Sequence, residues 1–146
     1  MKARILISVL AVIFSVSLIY AGNPKITTYT NIETTEGGTI KEYTFLDSKT
    51  LKPMKRAVYK YDATNIVQEK VTYNWSNNYG WVEAQKYEYQ YNNDNQLANI
   101  VYKLWDKNQK TWSNDSKYIA HKYDKSGSLL SVENIQVNTY DLAEIR

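Results

Sequence analysis

The 146-residue sequence contains no cysteine and only one histidine, His121. The lack of cysteine excludes disulfides, the lipobox cysteine of a bacterial lipoprotein and a cysteine nucleophile. Zinc sites of the usual His/Cys kind need several such ligands, so one chain cannot assemble them either. The fold is therefore expected to depend on its core and its backbone hydrogen bonds alone.

A concentrated basic face is also missing. Two of the 18 basic residues, Lys2 and Arg4, precede an apolar run, and the others are nearly balanced by 15 acidic residues. Beyond them, basic residues form only short groups such as Lys52, Lys55 and Arg56. Binding to nucleic acid needs lysines and arginines clustered on one face. We therefore predict no nucleic-acid partner.

The N-terminus has the pattern of a secretory signal peptide. The basic start is followed by an apolar run from Ile5 to Ile19, and Ala21-Gly22 offers a cleavage point. We predict a signal peptide over residues 1–21 and a single β-repeat domain over residues 22–146, without a membrane span in the mature chain. The alternative is an uncleaved N-terminal anchor. The mature protein is expected in the periplasm, at the cell surface or in the medium.

An aromatic pattern recurs about every 30 residues through most of the mature chain. With this shift Phe45 falls on Trp75, Trp75 falls on Trp105, and Leu51 falls on Trp81. Within each copy, aromatic and β-branched residues alternate with polar ones, which is typical of β-strands. No later window has a convincing helical periodicity. The sequence therefore predicts an all-β fold built from hairpin repeats.

Two kinds of turn separate the predicted strands. The first kind opens with Asp or Asn and has Asn or Gly at its fourth position, as at 62–65, 92–95 and 124–127. This pattern predicts a type I turn followed by a left-handed residue. The second kind lies between two tryptophans. Together they predict an antiparallel meander of about eight strands, forming an open curved sheet or a partly closed barrel. The strands are expected to start near Ile26, Thr39, Met54, Ile66, Val82, Gln96, Lys117 and Ser128.

The two tryptophan pairs, Trp75 with Trp81 and Trp105 with Trp112, are the candidate site. One hypothesis makes each pair a cross-strand contact that fixes the hairpin register. The other makes the pairs stacking platforms for sugar rings, with Tyr79 and polar loop residues beside them. In a meander both loops would lie at one end of the sheet, roughly 10 Å apart. These five residues are the tentative ligand-binding set.

No catalytic, metal or cofactor site is predicted from the remaining polar residues. His121 falls in the column of Tyr59 and Tyr89, which favours a half-buried position in the sheet. The carboxylates, Glu69, Glu83 and Glu88 among them, lie near lysines and are expected to form cross-strand ion pairs. No pair of carboxylates is placed for glycosidase chemistry, and no G-x-S-x-G elbow is present for a serine nucleophile.

The Tyr-Asp turns at Tyr61-Asp62 and Tyr123-Asp124, together with the tryptophan pairs, carry a resemblance. They resemble a family of small exported proteins of unknown function from gut Bacteroides-type bacteria. The resemblance implies export and a repetitive β-fold, but no activity. The stretch from Tyr123 to Gly127 is also similar to the YD repeats of bacterial toxin shells. The stretch around Gly80-Trp81 is distantly similar to choline-binding cell-wall repeats, although the period differs in both cases.

The function predicted from the sequence is that of an exported, non-catalytic binding module at the cell envelope. Its partner would be a protein or a glycan, and self-association is a further hypothesis, because the edges of an open sheet invite pairing. The first alternative is a glycan-binding module that uses the tryptophan loops. An enzyme acting on a glycan is the alternative that the residues favour least.

Overall fold

The computed structural model describes residues 25–137. The signal peptide predicted over residues 1–21 and the C-terminal residues from 138 onward lie outside the described residues. Between residues 25 and 137 no helix is long and apolar enough to cross a membrane. The strands are β1 (Ile26–Thr35), β2 (Gly38–Asp47), β3 (Pro53–Tyr61), β4 (Val67–Ser76), β5 (Gly80–Tyr91), β6 (Leu97–Asp106), β7 (Thr111–Trp112), β8 (Ser116–Tyr123) and β9 (Leu129–Val137).

The strands form one antiparallel meander. Their pairing order is β1-β2-β3-β4-β5-β6-β8-β9, and the two-residue strand β7 pairs with β6 beside this path. In the described part of the chain no pairing joins β1 to β9, so the sheet is not closed into a barrel. The all-β meander is therefore confirmed. The eight predicted strands are the eight long ones, and β7 is an addition.

The chain divides into two compact units, the first of which runs to Val67 and also contains Tyr73–Val82. In this unit Tyr43 on β2 pairs with Ala57 on β3, and Lys41 pairs with Tyr59. Side chains at paired positions point to the same side of a sheet, and alternate residues share a face. The tyrosine face of this unit is therefore made by Lys41, Tyr43, Phe45, Lys55, Ala57, Tyr59 and Tyr61.

The second unit contains Gln68–Thr72 and the chain from Glu83 onward. Here Tyr87 on β5 pairs with Tyr102 on β6, and their rings lie 5.1 Å apart. Val101 on the opposite face pairs with Glu88 on β5 and with Tyr118 on β8. Tyrosines thus alternate with a mixed apolar and charged row, as the period of two in the sequence predicts.

Three turns share one hydrogen-bonding scheme. In each, the side-chain Oδ1 of the first residue accepts the backbone N–H groups two and four positions later. The fourth residue has positive φ, namely 63° at Asn65, 58° at Asn95 and 83° at Gly127. Asn and Gly tolerate this conformation best. The predicted type I turn followed by a left-handed residue is confirmed at all three places.

The loop between β2 and β3 corrects one expected equivalence. Asp47 accepts the backbone N–H groups two and three residues later, as Asp106 does in the loop after β6. The residue equivalent to Trp105 is therefore Leu46, and the prediction that Phe45 holds that place is wrong. A register shift between Phe45 and Leu46 separates them. Phe45 still pairs with Lys55, two residues from the Tyr43–Ala57 pair, so its side chain lies on the tyrosine face.

The fully buried core is small. Among the described residues the buried apolar side chains are Ala57, Val71 and Val101, and Ser116 is the buried polar one. Most strand side chains are half-buried instead. The backbone ladder and the packing of half-buried aromatic rings must therefore supply much of the stability.

Candidate functional site

The first tryptophan pair lies at the β4–β5 loop. Trp75 is the second-last residue of β4 and Trp81 is the second residue of β5, and their rings meet edge to face with centroids 5.1 Å apart. This arrangement follows the quadrupoles of the two rings and contributes about 0.5–1.5 kcal/mol beyond burial. Trp75 is 39% exposed. The pair therefore joins the two strands and still presents part of one ring to solvent.

The second pair repeats this geometry at the end of β6. Trp105 and Trp112 are register partners on β6 and β7, and their rings meet edge to face at 5.0 Å. The two-residue strand β7 thus exists where Trp112 packs on Trp105. This cross-strand contact is the register-fixing arrangement that the first hypothesis describes.

A cation lies beside each pair, a contact that the sequence analysis above does not predict. The Arg56 guanidinium lies 5.0 Å from the ring centroid of Tyr73 and 5.9 Å from that of Trp81. Its Nε atom is 3.3 Å from Glu42 Oε1, an ion pair without the geometry of a hydrogen bond. A guanidinium over an aromatic face is attracted by the ring quadrupole. Arg56 therefore helps to hold Trp81 in place.

Lys86 holds the equivalent position in the second unit. Its Nζ atom is 2.7 Å from Glu88 Oε1, 3.2 Å from Glu69 Oε2 and 6.0 Å from the ring centroid of Trp112. The hydrogen bond that Lys86 donates to Glu88, and the one it donates to Glu69, raise the pKa of Lys86 above its ordinary value, although burial opposes them. The predicted cross-strand pairing is confirmed for Glu69, which reaches Lys86 on the neighbouring strand, and for Glu88, which reaches Lys103 on β6 at 4.0 Å. Glu83 forms no ion pair within residues 25–137. The 30-residue shift from Arg56 to Lys86 was the available signal.

Tyr79 does not join either pair. It is 81% exposed in the β4–β5 loop, and it makes no ring contact among residues 25–137. The five predicted site residues thus form two separate pairs and one exposed loop tyrosine. Each pair lies within its own unit, and the spacing of roughly 10 Å between the loops stays a prediction.

His121 is half-buried on β8, which confirms its predicted place in the sheet. Its Nδ1 atom is buried and has no hydrogen-bond partner within the described region. No group of three or more His, Cys, Asp or Glu side chains able to hold a metal ion occurs there. The Asn92 side chain is occupied by its own turn, where Oδ1 accepts two backbone N–H groups.

A tyrosine cradle on the first unit is a feature that the sequence did not reveal as a site. We use this name for Tyr43, Phe45, Ala57, Tyr59 and Tyr61, which line a cavity of about 390 Å³. Tyr59 meets Tyr43 edge to face at 5.7 Å and stacks on Tyr61 at 6.4 Å. Burial, followed by the nearby Tyr43 and Tyr59 phenols, raises the pKa of Tyr61 above its ordinary value.

Fold and surfaces together define an all-β protein whose antiparallel meander displays half-buried aromatic side chains. The chain belongs to the family of unknown function DUF3836, whose family model matches residues 1–122. This membership confirms the resemblance to a family of unknown function with relatives in Bacteroides-type bacteria. No curated protein matches the chain.

Crystal structures of two DUF3836 family proteins are similar to this chain in fold. The protein from Parabacteroides distasonis ATCC 8503 is 21% identical, with a TM-score of 0.44, covering 81% of this chain and 95% of its own. The protein from Bacteroides vulgatus ATCC 8482 is 17% identical, with a TM-score of 0.42, covering 76% of this chain and 98% of its own.

Proposed function

We propose that this chain is an exported, non-catalytic binding module of the bacterial cell envelope, built from hairpin repeats of about 30 residues. Its predicted signal peptide supports export, with the mature domain in the periplasm, at the cell surface or in the medium. The partner is a glycan or another envelope protein.

The observation that carries this proposal is an aromatic-rich sheet with a small buried core. Only a few described side chains are buried, whereas Trp75, Tyr79, Leu104 and Leu130 are exposed. Aromatic side chains that keep an accessible surface are enriched where proteins bind partners. A sheet of this kind is suited to presenting a surface.

The ion pairs support the non-catalytic part of the proposal. Glu42 pairs with Arg56, and Glu69 and Glu88 both pair with Lys86. Carboxylates held in this way are poor candidates for an acid and a base acting across a cleft. A structural role as ion-pair partners is sufficient to explain these carboxylates.

A glycan-binding function of the tryptophan loops is the second candidate, and the exposure of Trp75 and Tyr79 favours it. Asn77 and Asn78 lie exposed between them and could donate and accept hydrogen bonds. An exposed aromatic ring with amide groups beside it suits a sugar, which has an apolar face and polar edges.

Tryptophan fluorescence of the mature chain, titrated with a panel of soluble polysaccharides, tests this second function. All four tryptophans belong to the two pairs, so the signal has no other source. We expect a saturable shift that Tyr79→Ala weakens and Trp75→Phe retains. A flat response from a folded protein would reject glycan binding at these loops and leave the pairs as register contacts.

The envelope role itself is tested by fractionation and by sedimentation with purified cell envelopes. The tagged chain is expected outside the cytoplasm, and its mature form is expected to sediment with envelopes in a saturable manner that unlabelled chain competes. Retention in the cytoplasm, or sedimentation no greater than that of an unrelated β-protein, would contradict the proposal.

A further inference from the structure

The tyrosine cradle lies on a face with an unbalanced charge. The registers of β1, β2 and β3 place Thr28, Thr30, Ile32 and Thr34 beside the tyrosine face. Two charged side chains lie on the tyrosine face along Thr39–Phe45 of β2 and Lys55–Tyr61 of β3. They are Lys41 and Lys55. Glu33, Glu42, Arg56 and Lys60 lie on the opposite face. The cradle is thus bordered by two cations and no carboxylate along these stretches.

Lys41 contacts one of the tyrosines of the cradle. Its Nζ atom lies 4.4 Å from the ring centroid of Tyr61, at one end of the cradle. It forms no ion pair within residues 25–137, unlike Arg56 and Lys86. A half-buried ammonium group beside aromatic walls retains much of its attraction for an anion, because less water screens it.

We propose that the tyrosine cradle binds the carboxylate-bearing sugar units of an acidic polysaccharide, with Lys41 pairing the carboxylate. The stacked and edge-on rings of Tyr43, Tyr59 and Tyr61 offer apolar surface to the flat side of a sugar ring. Lys41 supplies the opposite charge at the end of the cavity. This inference rests on the proposed binding function and adds a site distinct from the tryptophan loops.

The protonation state of the cradle agrees with this assignment. The pKa of Tyr61 is raised by burial and then by the Tyr43 and Tyr59 phenols, so its hydroxyl remains protonated at neutral pH. A neutral phenol can donate a hydrogen bond to a carboxylate or to a sugar hydroxyl. The cavity of about 390 Å³ is within the range of small-ligand sites.

Isothermal titration calorimetry of the mature chain with sodium oligogalacturonate tests the site. We expect saturable binding that weakens at high salt and is lost with methyl-esterified oligogalacturonate, which lacks the charges. Lys41→Gln should weaken binding about tenfold, as expected for a hydrogen bond to a charged group. Tyr43→Phe keeps the ring and is the second variant, expected to retain binding within a few-fold.

Lys60→Gln is the matched control, because Lys60 is an exposed lysine on the opposite face of the sheet, on the neighbouring strand β3. Equal losses in Lys41→Gln and Lys60→Gln would overturn the site and leave only non-specific attraction. Equal binding of polyglutamate would overturn the assignment to a sugar. Binding that Trp75→Ala removes and Lys41→Gln does not would reject the cradle while the binding function stands. A chain that does not bind oligogalacturonate but still sediments with envelopes would also reject the cradle while the binding function stands.

Discussion

At the residue scale, Gly38 closes the first hairpin where the next strand passes closest. Its φ is 139°, and a Cβ atom there would overlap the carbonyl oxygen of Tyr61 and lie 2.9 Å from the Asp62 carbonyl carbon. Both neighbours are backbone atoms that cannot rotate away. We therefore expect Gly38→Ala to lower the free energy of unfolding by at least about 2 kcal/mol, measured by urea denaturation.

Gly37→Ala provides the control within the same turn. A Cβ atom at Gly37 would meet only the Thr35 hydroxyl oxygen at 3.8 Å, an ordinary contact. This change should shift the free energy of unfolding by no more than about 0.5 kcal/mol. Equal losses in the two variants would show that the contact with Tyr61 does not set the cost.

Tyr61 and Tyr102 make stability depend on alkaline pH. Burial, then the neighbouring phenols, raises the pKa of both above the ordinary 10.0. A group whose folded pKa exceeds its unfolded pKa contributes stability that is complete below the unfolded value. That contribution is lost as pH rises through the folded value. The free energy of unfolding should therefore begin to fall near pH 10.

Denaturation curves at a series of pH values measure the slope of the free energy of unfolding against pH. Tyr61→Phe should reduce it, whereas Tyr79→Phe should leave it unchanged, because Tyr79 is 81% exposed. A slope that Tyr61→Phe does not alter would contradict the assignment to this phenol.

At the scale of elements, the strands and the three Asx-type turns could be predicted because their signals are local. Period-two alternation and an Asp or Asn at the start of a turn act within a few residues. The equivalence of Leu46, and not Phe45, to Trp105 could not be predicted in this way. It depends on a register shift within the β2–β3 pair, and the sequence around Phe45 is apolar in either register.

The β6–β7 loop offers a prediction about strain. Lys110 has a φ of 52°, whereas Lys107, an exposed lysine in the same loop, does not have a positive φ. A side chain in the left-handed region costs roughly 1–2 kcal/mol, and glycine flexibility costs roughly 0.5–1 kcal/mol. Lys110→Gly should therefore stabilise the protein by about 0.5–1 kcal/mol, and Lys107→Gly should destabilise it.

Thermal denaturation of both variants measures the difference directly. Each removes one exposed lysine side chain from the same loop, so the change in charge is matched. Destabilisation of similar size in both would mean that the conformation of Lys110 stores no strain.

At the scale of the molecule, the candidate sites depend on contacts that cross between strands. The tryptophan pairs could be found from sequence because each closes one short loop. The 30-residue shift relates Arg56 to Lys86, but their contacts with the rings could not be predicted, because Arg56 reaches Tyr73 and Trp81 from a different strand. The tyrosine cradle likewise needed the β2–β3 register before Tyr43 and Phe45 could be placed beside Tyr59 and Tyr61.

The small core leads to a last prediction about where stability resides. Val101 is 3% exposed at the centre of β6, which pairs with both β5 and β8, whereas Val132 on the terminal strand β9 is 49% exposed. Removing the two methyl groups of Val101 loses their burial and leaves a cavity, so Val101→Ala should cost about 2 kcal/mol.

Hydrogen exchange followed by NMR tests both the cost and its location. The slowest amides of the wild-type chain should lie in β6, because their exchange requires global opening. In Val101→Ala those amides should exchange about 30-fold faster, the factor that corresponds to about 2 kcal/mol, and Val132→Ala should leave them nearly unchanged. If both variants accelerate β6 equally, stability is spread along the ladder and the buried valine has no special place. If Val101→Ala alone does so, this half-exposed sheet depends on a few central apolar contacts.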